Sequence, residues 1–354
     1  MQTIKADLRK LKTKYGTPRH TEIEQNIEEL TIDLDVLVTS EDVVVSVTHD
    51  GYIKRTSLRS YGASNTEDLS MKENDHLISL LEINTTDKLL LFTTKGNYLY
   101  LPVHQLPDIR WKDIGQHVSN LVSIDKDEKI VKSIPVREFT DKQYILFFTK
   151  NGMVKRSLLQ LYEAQRYSKP LIALNLKDDD EVVDVHITDG NYDVFVATSK
   201  GFGLWYHESE IPLVGQRARG VKAITLKDGE KVVSGQVFDD LADPSLVAVT
   251  QRGACKRMKL QVFEKMSRAK RGLVMLRELK SKPHQLQGLF AVDEQDTICM
   301  LTAKGKTHLL YPLKLSLSDR YSNGSFVVDT DAEGEITDVW KQPTYEKPFA
   351  GSEE

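Results

Sequence analysis

Short apolar runs and short polar turns alternate along the chain, and one version of that alternation returns six times. Each copy is an apolar strand, a Thr, a short polar turn ending in Gly, and a second strand. The copies are Val45–Arg55 (VSVTHDGYIKR), Leu91–Tyr100 (LFTTKGNYLY), Phe147–Arg156 (FFTKNGMVKR), Val196–Trp205 (VATSKGFGLW), Ala248–Arg257 (AVTQRGACKR) and Met300–Leu309 (MLTAKGKTHL). Their turn glycines, Gly51, Gly96, Gly152, Gly201, Gly253 and Gly305, follow one another at intervals of 45 to 56 residues. Such a unit predicts a β-hairpin, because a primed turn needs the positive φ that Gly adopts at least cost. A second register lies inside the repeat. Nineteen residues past the turn glycine stand Gly115, Gly220, Gly272 and Gly324, whereas the first and third copies place Ser70 and Leu171 there. Further strand-like segments follow in each copy, such as Val182–Ile187 and Lys231–Val237.

A period of about 50 residues with several short strands in each predicts blades around a common axis. No single repeat can bury its apolar face, and closing the set into a ring removes exposed strand edges. Helical periodicity is almost confined to the amino end, where Ile4, Leu8, Leu11 and Tyr15 share one face. The expected fold class is therefore all-β, with six blades over residues 31–340 and a helical lead-in over 1–30. Residues 341–354, with Pro343, Pro348 and a Gly-Ser-Glu-Glu end, are expected to be a disordered tail.

Composition narrows the class further. Charged residues make up 28% of the 354 and hydrophobic ones 40%, a soluble globular balance. No apolar run approaches the roughly 20 residues a bilayer span needs, and the first ten residues lack the apolar core of a signal peptide. Cys255 and Cys299 stand far apart and read as isolated buried thiols, not as a disulfide framework or a zinc site. The nine histidines lack zinc spacing, and the acidic run Asp178–Glu181 reads as a solvated loop, so no metal site is expected. Trp111, Trp205 and Trp340 read as blade-packing residues. No convergent His/Asp/Ser set points to catalysis. A net charge of −4 argues, taken alone, against a nucleic-acid binder and keeps a scaffold for protein partners in play. How charge is distributed decides more than its sum.

Two phrases and the repeats together resemble a known family. Ile4–Ile23 (IKADLRKLKTKYGTPRHTEI) is similar to the exit from the cleavage core in the A subunits of bacterial type IIA topoisomerases, DNA gyrase and topoisomerase IV. Gly51–Thr56 (GYIKRT) resembles the first-blade signature of their C-terminal domain, and the resemblance runs from about Ile4 to Trp340. It implies a β-pinwheel, a propeller-like ring whose basic rim binds and bends duplex DNA and presents the transported segment for relaxation and decatenation. It also implies a non-catalytic piece, since the cleavage tyrosine, the Mg²⁺ site and the ATPase belong to other domains or subunits. The implied partners are duplex DNA, the A-subunit cleavage core and the ATPase B subunit. The implied setting is cytoplasmic and nucleoid-associated, with the isolated domain monomeric and no cofactor of its own. One departure bears on the branch of the family. Where gyrase carries a basic, Gly-rich heptapeptide, this chain has Ser64–Ser70 (SNTEDLS), with two acids and no base. A segment that cannot pair with phosphates favours the topoisomerase IV side over a gyrase-type wrapping domain.

The same seven-residue window in the other repeats supplies the candidate DNA contacts. Its formal charge is +1 in Ile109–Gly115, +2 in Gln165–Leu171, +2 in Val214–Gly220, +3 in Met266–Gly272 and zero in Ser318–Gly324. Glycine lets the backbone approach phosphates and Arg offers them a planar fork. The main contact arc is expected at Arg166, Lys169, Arg217, Arg219, Arg268, Lys270 and Arg271, with Lys222 a further candidate just past its window. A second candidate set follows the turn glycines of repeats one, three and five: Lys54 and Arg55, Lys155 and Arg156, Lys256 and Arg257. Neighbouring strand residues face opposite sides, so at most one of each pair is expected on a given surface.

Overall fold

The computed structural model of the chain describes residues 2–17, 38–65, 68–177 and 179–349. These fall into two units that part between Val38 and Thr39. In the first, a helix spans Gln2–Tyr15 and leaves Ile4, Leu8, Leu11 and Tyr15 exposed. The rest of the expected helical lead-in, residues 18–30, and the start of the expected ring, 31–37, lie outside the described residues.

The second unit is a six-bladed β-propeller, one sheet per repeat. Its recurring Thr-x-x-Gly turn has a plain physical basis. The N–H of each turn glycine donates to the carbonyl of the Thr three residues earlier, at 2.8 to 3.1 Å. The hydroxyl of the same Thr accepts the N–H of the residue after the glycine, at 3.0 to 3.2 Å. The six glycines hold φ between 71° and 95°, a region a β-carbon penalises. Each turn thus joins two antiparallel strands, such as Tyr192–Thr198 and Phe202–His207. A third strand pairs on the other side of the first and faces the axis.

The six axial strands are Leu77–Asn84, Ile130–Val136, Val182–Thr188, Val232–Asp239, Leu286–Val292 and Ile336–Lys341. All six contribute to the wall of a cavity of about 370 Å³. Between neighbouring blades the apolar faces interlock, as where Leu90 and Phe92 of the second blade meet Ile145, Phe147 and Tyr162 of the third. Cys255 and Cys299 are both buried, and Trp111 is fully buried.

Polar groups line the axial cavity, and one of them makes stability depend on pH. Burial pushes the Asp184 carboxyl up to about 7, against hydrogen bonds from Gly235 N–H at 2.8 Å and Ser234 Oγ at 3.4 Å and the charge of Lys132. The folded chain therefore holds a proton that the unfolded chain releases near pH 4, and stability should fall as pH rises from about 4 to 7. Asp184→Asn should remove that decline and stabilise the domain at pH 8 by on the order of 1–3 kcal/mol. Thermal melts across pH would show it; a variant no more stable than wild type at pH 8 would contradict the assignment.

The fourth, outer strand of a blade comes from the next repeat. Gln116–His117 pairs with Tyr52–Ser57, Leu171–Ile172 with Asn97–Pro102, and Val221–Lys222 with Met153–Leu158. Leu273–Val274 and Ser325–Phe326 do the same for blades four and five. This exchange explains the second glycine register. A β-carbon on Gly220 would lie 2.4 Å from the Val154 carbonyl oxygen, and one on Gly324 would lie 2.2 Å from that of Cys255.

Blade six has three strands among the described residues, with Thr307–Leu310 at its outer edge. By the rule of the other blades, the chain covering it would be the first-repeat window. Among the described residues no strand from that window pairs with Thr307–Leu310, and the short helix that precedes the window, Leu58–Gly62, packs on the first blade. Tyr61 stands edge-on to Trp111 at 4.8 Å, and Trp111 Nε1 donates to the Asn65 carbonyl at 2.9 Å.

The seam between blades six and one is closed by the carboxyl-terminal segment, which corrects the expected disordered tail. Tyr345–Glu346 adds a parallel strand to Leu77–Asn84. The Tyr345 hydroxyl donates to Glu82, its ring stacks on Tyr61 at 5.2 Å, and Phe349 packs against the Val43–Leu89 core under Arg137. Pro343 and Pro348 bracket this strand and do not interrupt it. Residues 350–354 lie outside the described residues.

Candidate nucleic-acid interface

Because outer strands are exchanged, each window from the second repeat onward sits on the rim of the blade before its own repeat. The windows of repeats three, four and five therefore lie on the contiguous rims of blades two, three and four. Arg166, Lys169, Arg217, Arg219, Lys222 and Lys270 are exposed there, with no side-chain hydrogen bond or ion pair to a described residue. Those six cations are free to meet a polyanion.

Two members of the expected arc are not free. Arg271 pairs with the buried Glu230, donates to Thr225 O at 3.0 Å, and covers the Phe202 ring at 3.7 Å. Its hydrogen bonds help hold Glu230 below the usual carboxylate range despite burial. Arg268 donates through Nε to Glu210 O at 2.9 Å and also to Lys222 O, while its N–H reaches Glu210 Oε2 at 2.6 Å. Both hold the rim together and stand apart from the six unpaired cations.

The Lys-Arg pairs after the turn glycines are corrected more sharply. Lys54, Lys155 and Lys256 are each about 1% exposed. Lys54 Nζ donates to the carbonyls of Arg110 at 3.2 Å, Trp111 at 2.5 Å and Asp113 at 2.6 Å. Lys155 Nζ donates to those of Ala173 and Gln216. Lys256 Nζ donates to Met275 O, and to Arg320 O at 2.7 Å and Ser322 O at 2.8 Å. Burial pushes the Lys54 ammonium down to about 8 and the other two down to about 7. The surrounding carbonyl oxygens favour the charged form, as do the Trp111 ring at 5.1 Å from Lys54 and the Phe147 ring at 4.8 Å from Lys155.

Their arginine neighbours are half-buried. Arg156 lies 3.7 Å from the buried Glu208 and over the Tyr144 ring at 5.0 Å. Arg257 donates to Leu315 O at 3.1 Å. Arg55 is held by its backbone, which bonds Pro107 and Ile109 at 3.0 Å. Arg156 and Arg257 are thus engaged within the blades.

The other windows are neutralised. Arg110 pairs with Asp113 at 2.9 Å, Lys112 with Asp68 at 3.5 Å, and Arg320 donates to Val274 O. The partners that silence these cations, Glu210, Glu230, Asp68 and the window carbonyls, were missed from sequence. A signal for the buried lysines was present: blades two and four carry Leu99 and Leu204 at the same offset, and exchange with Leu marks a buried position.

Among the described residues no helix is long and apolar enough to cross a membrane. A family model described as the DNA gyrase C-terminal domain, beta-propeller, matches residues 42–84, 87–137, 143–189, 192–239 and 244–293. The chain is 55% identical to the A subunit of DNA topoisomerase 4 from Bacillus subtilis (strain 168) over 97% of its length, and 39% identical to its counterpart from Staphylococcus aureus (strain MRSA252) over 96%. It spans 42% of the length of each of these relatives. A crystal structure of the C-terminal domain of DNA topoisomerase IV superposes with a TM-score of 0.82 at 56% identity, covering 86% of this chain and 94% of that one. A DNA gyrase A C-terminal domain shares the fold, with a TM-score of 0.63 at 22% identity, over 85% of this chain and 100% of that one. The chain belongs to the family of C-terminal β-propeller domains of the DNA gyrase and topoisomerase IV A subunits.

Proposed function

We propose that this domain binds duplex DNA along the rims of blades two to four and bends it without cleaving it. The observation that carries the reading is the set of six unpaired cations on three adjoining rims, while the cations of the remaining windows are neutralised or buried. Contacts of this kind go to phosphates and carry little sequence information; preference would come from how readily a duplex bends. Within an intact type IIA topoisomerase, the bent duplex would be the segment presented for transport, in relaxation and decatenation. Binding would occur beside the A-subunit cleavage core and the ATPase B subunit. The exposed apolar face of the helix Gln2–Tyr15 is suited to packing against such a core.

Bending fits the geometry better than gyrase-type wrapping. The first-repeat window carries acids, and its Asp68 already pairs with Lys112. Among the described residues no outer strand covers blade six, so the basic arc has no continuation across the seam. Fluorescence transfer between dyes at the ends of a short duplex tests this. The domain should shorten the end-to-end distance at low salt and release it as salt rises. Binding with no change in transfer would leave a DNA-binding domain that does not bend DNA.

A further inference from the structure

We propose that Lys155 is a positioning residue for the DNA contact: its buried ammonium clasps the two rim segments that carry five of the six free cations. The inference rests on the DNA-binding reading above. Lys155 Nζ bonds Gln216 O, immediately before Arg217, and Ala173 O, four residues after Lys169. It thus joins the outer strand of blade two, which follows Arg166 and Lys169, to the fourth-repeat segment bearing Arg217, Arg219 and Lys222. Among the described residues no other side chain bonds both segments. The Gln216 side chain adds a tie from the window to the Tyr98 hydroxyl, at 3.0 Å.

Lys54 is the corresponding buried lysine of blade one, but it holds a single segment, and that segment has no bearing on the arc. Its three carbonyl partners lie in the second-repeat window, whose Arg110 and Lys112 are paired with acids. The two lysines are alike in chemistry, burial and place in the blade, and differ in what they hold. Leu occupies the equivalent site in blades two and four, as Leu99 and Leu204, so a leucine can be seated there. The surface charge of the arc is untouched by either substitution.

Lys155→Leu should therefore weaken duplex binding about tenfold at 0.1 M salt, the loss expected when roughly one phosphate contact is mispositioned. Lys54→Leu should change it less than twofold. Trypsin should cleave after Arg217 and Arg219 at least tenfold faster in Lys155→Leu than in wild type or Lys54→Leu. Equal effects of the two variants on DNA affinity would overturn the proposal, as would faster cleavage with unchanged affinity. If Lys155→Leu loses its fold by circular dichroism, Gly220→Val and Gly324→Val replace the pair. Each forces a window off its neighbouring carbonyl with the lysines intact, but only the Gly220 window bears free cations. Equal affinities for those two would likewise overturn it. Failure of the DNA reading itself would look different: Arg217, Arg219 and Lys222 could all be neutralised without loss of affinity, while the tryptic contrast remained.

Discussion

Replacing Arg217, Arg219 and Lys222 together by glutamate should weaken duplex binding by about three orders of magnitude at 0.1 M salt. Each phosphate contact releases close to one counterion, which at that salt is about a tenfold gain in affinity, so three contacts give roughly a thousandfold. Repulsion from the new carboxylates adds to the loss. The three side chains are exposed and unpaired, so folding stability should hardly change. The same charge reversal at Lys95, Lys126 and Lys129 is the control. Lys95 already pairs with Asp125 and Asp127 at 3.1 and 2.8 Å, and Lys129 with Asp50 at 2.7 Å. There the loss should stay within about tenfold, reflecting long-range field alone. Equal losses in the two variants would mean that net charge, not the rim arc, governs binding.

Truncation after Lys341 should lower the melting temperature by about 5 °C, the shift expected for the loss of roughly 3 kcal/mol from a domain of this size. Five of the six junctions are tied by an exchanged outer strand, whereas the seam between blades six and one depends on the carboxyl-terminal segment. That segment supplies the Tyr345–Glu346 strand, the Tyr345 ring on Tyr61, an ion pair of Lys347 with Glu82 at 2.8 Å, and Phe349 packed against the core. After its loss the seam would retain the stack of His76 on Trp340, at 4.0 Å between ring centres. Amide exchange should accelerate along Leu77–Asn84 and stay unchanged in blades three and four. An unaltered melting temperature would show that the strand adds nothing to closure.

The blades were legible because Thr-x-x-Gly encodes a local device: a hydroxyl, a carbonyl and a positive φ within five residues. The glycine nineteen positions on was visible as a regularity, but its cause was not. It lies against a carbonyl of the preceding blade, a contact that no local pattern reveals. The same exchange moved the basic windows one blade back from where their repeats would put them. Charge was legible in number and opaque in availability. Arg271 and Lys270 are neighbours with the same sign, yet one is fixed on Glu230 and the other is free. Lys155 reads as a surface cation until its interchange with Leu99 and Leu204 is noticed. The tail misled because Pro343 and Pro348 suggest disorder, whereas they flank a strand whose partner lies some 265 residues earlier in the chain.

The central claim is that a small, located set of rim cations holds the DNA backbone, and the salt dependence of duplex affinity tests it most directly. For six phosphate contacts the plot of log affinity against log salt should have a slope of about −5. In the Arg217, Arg219, Lys222 glutamate variant the slope should shrink to about half of that. A wild-type slope near zero, or one that the variant leaves unchanged, would contradict the account.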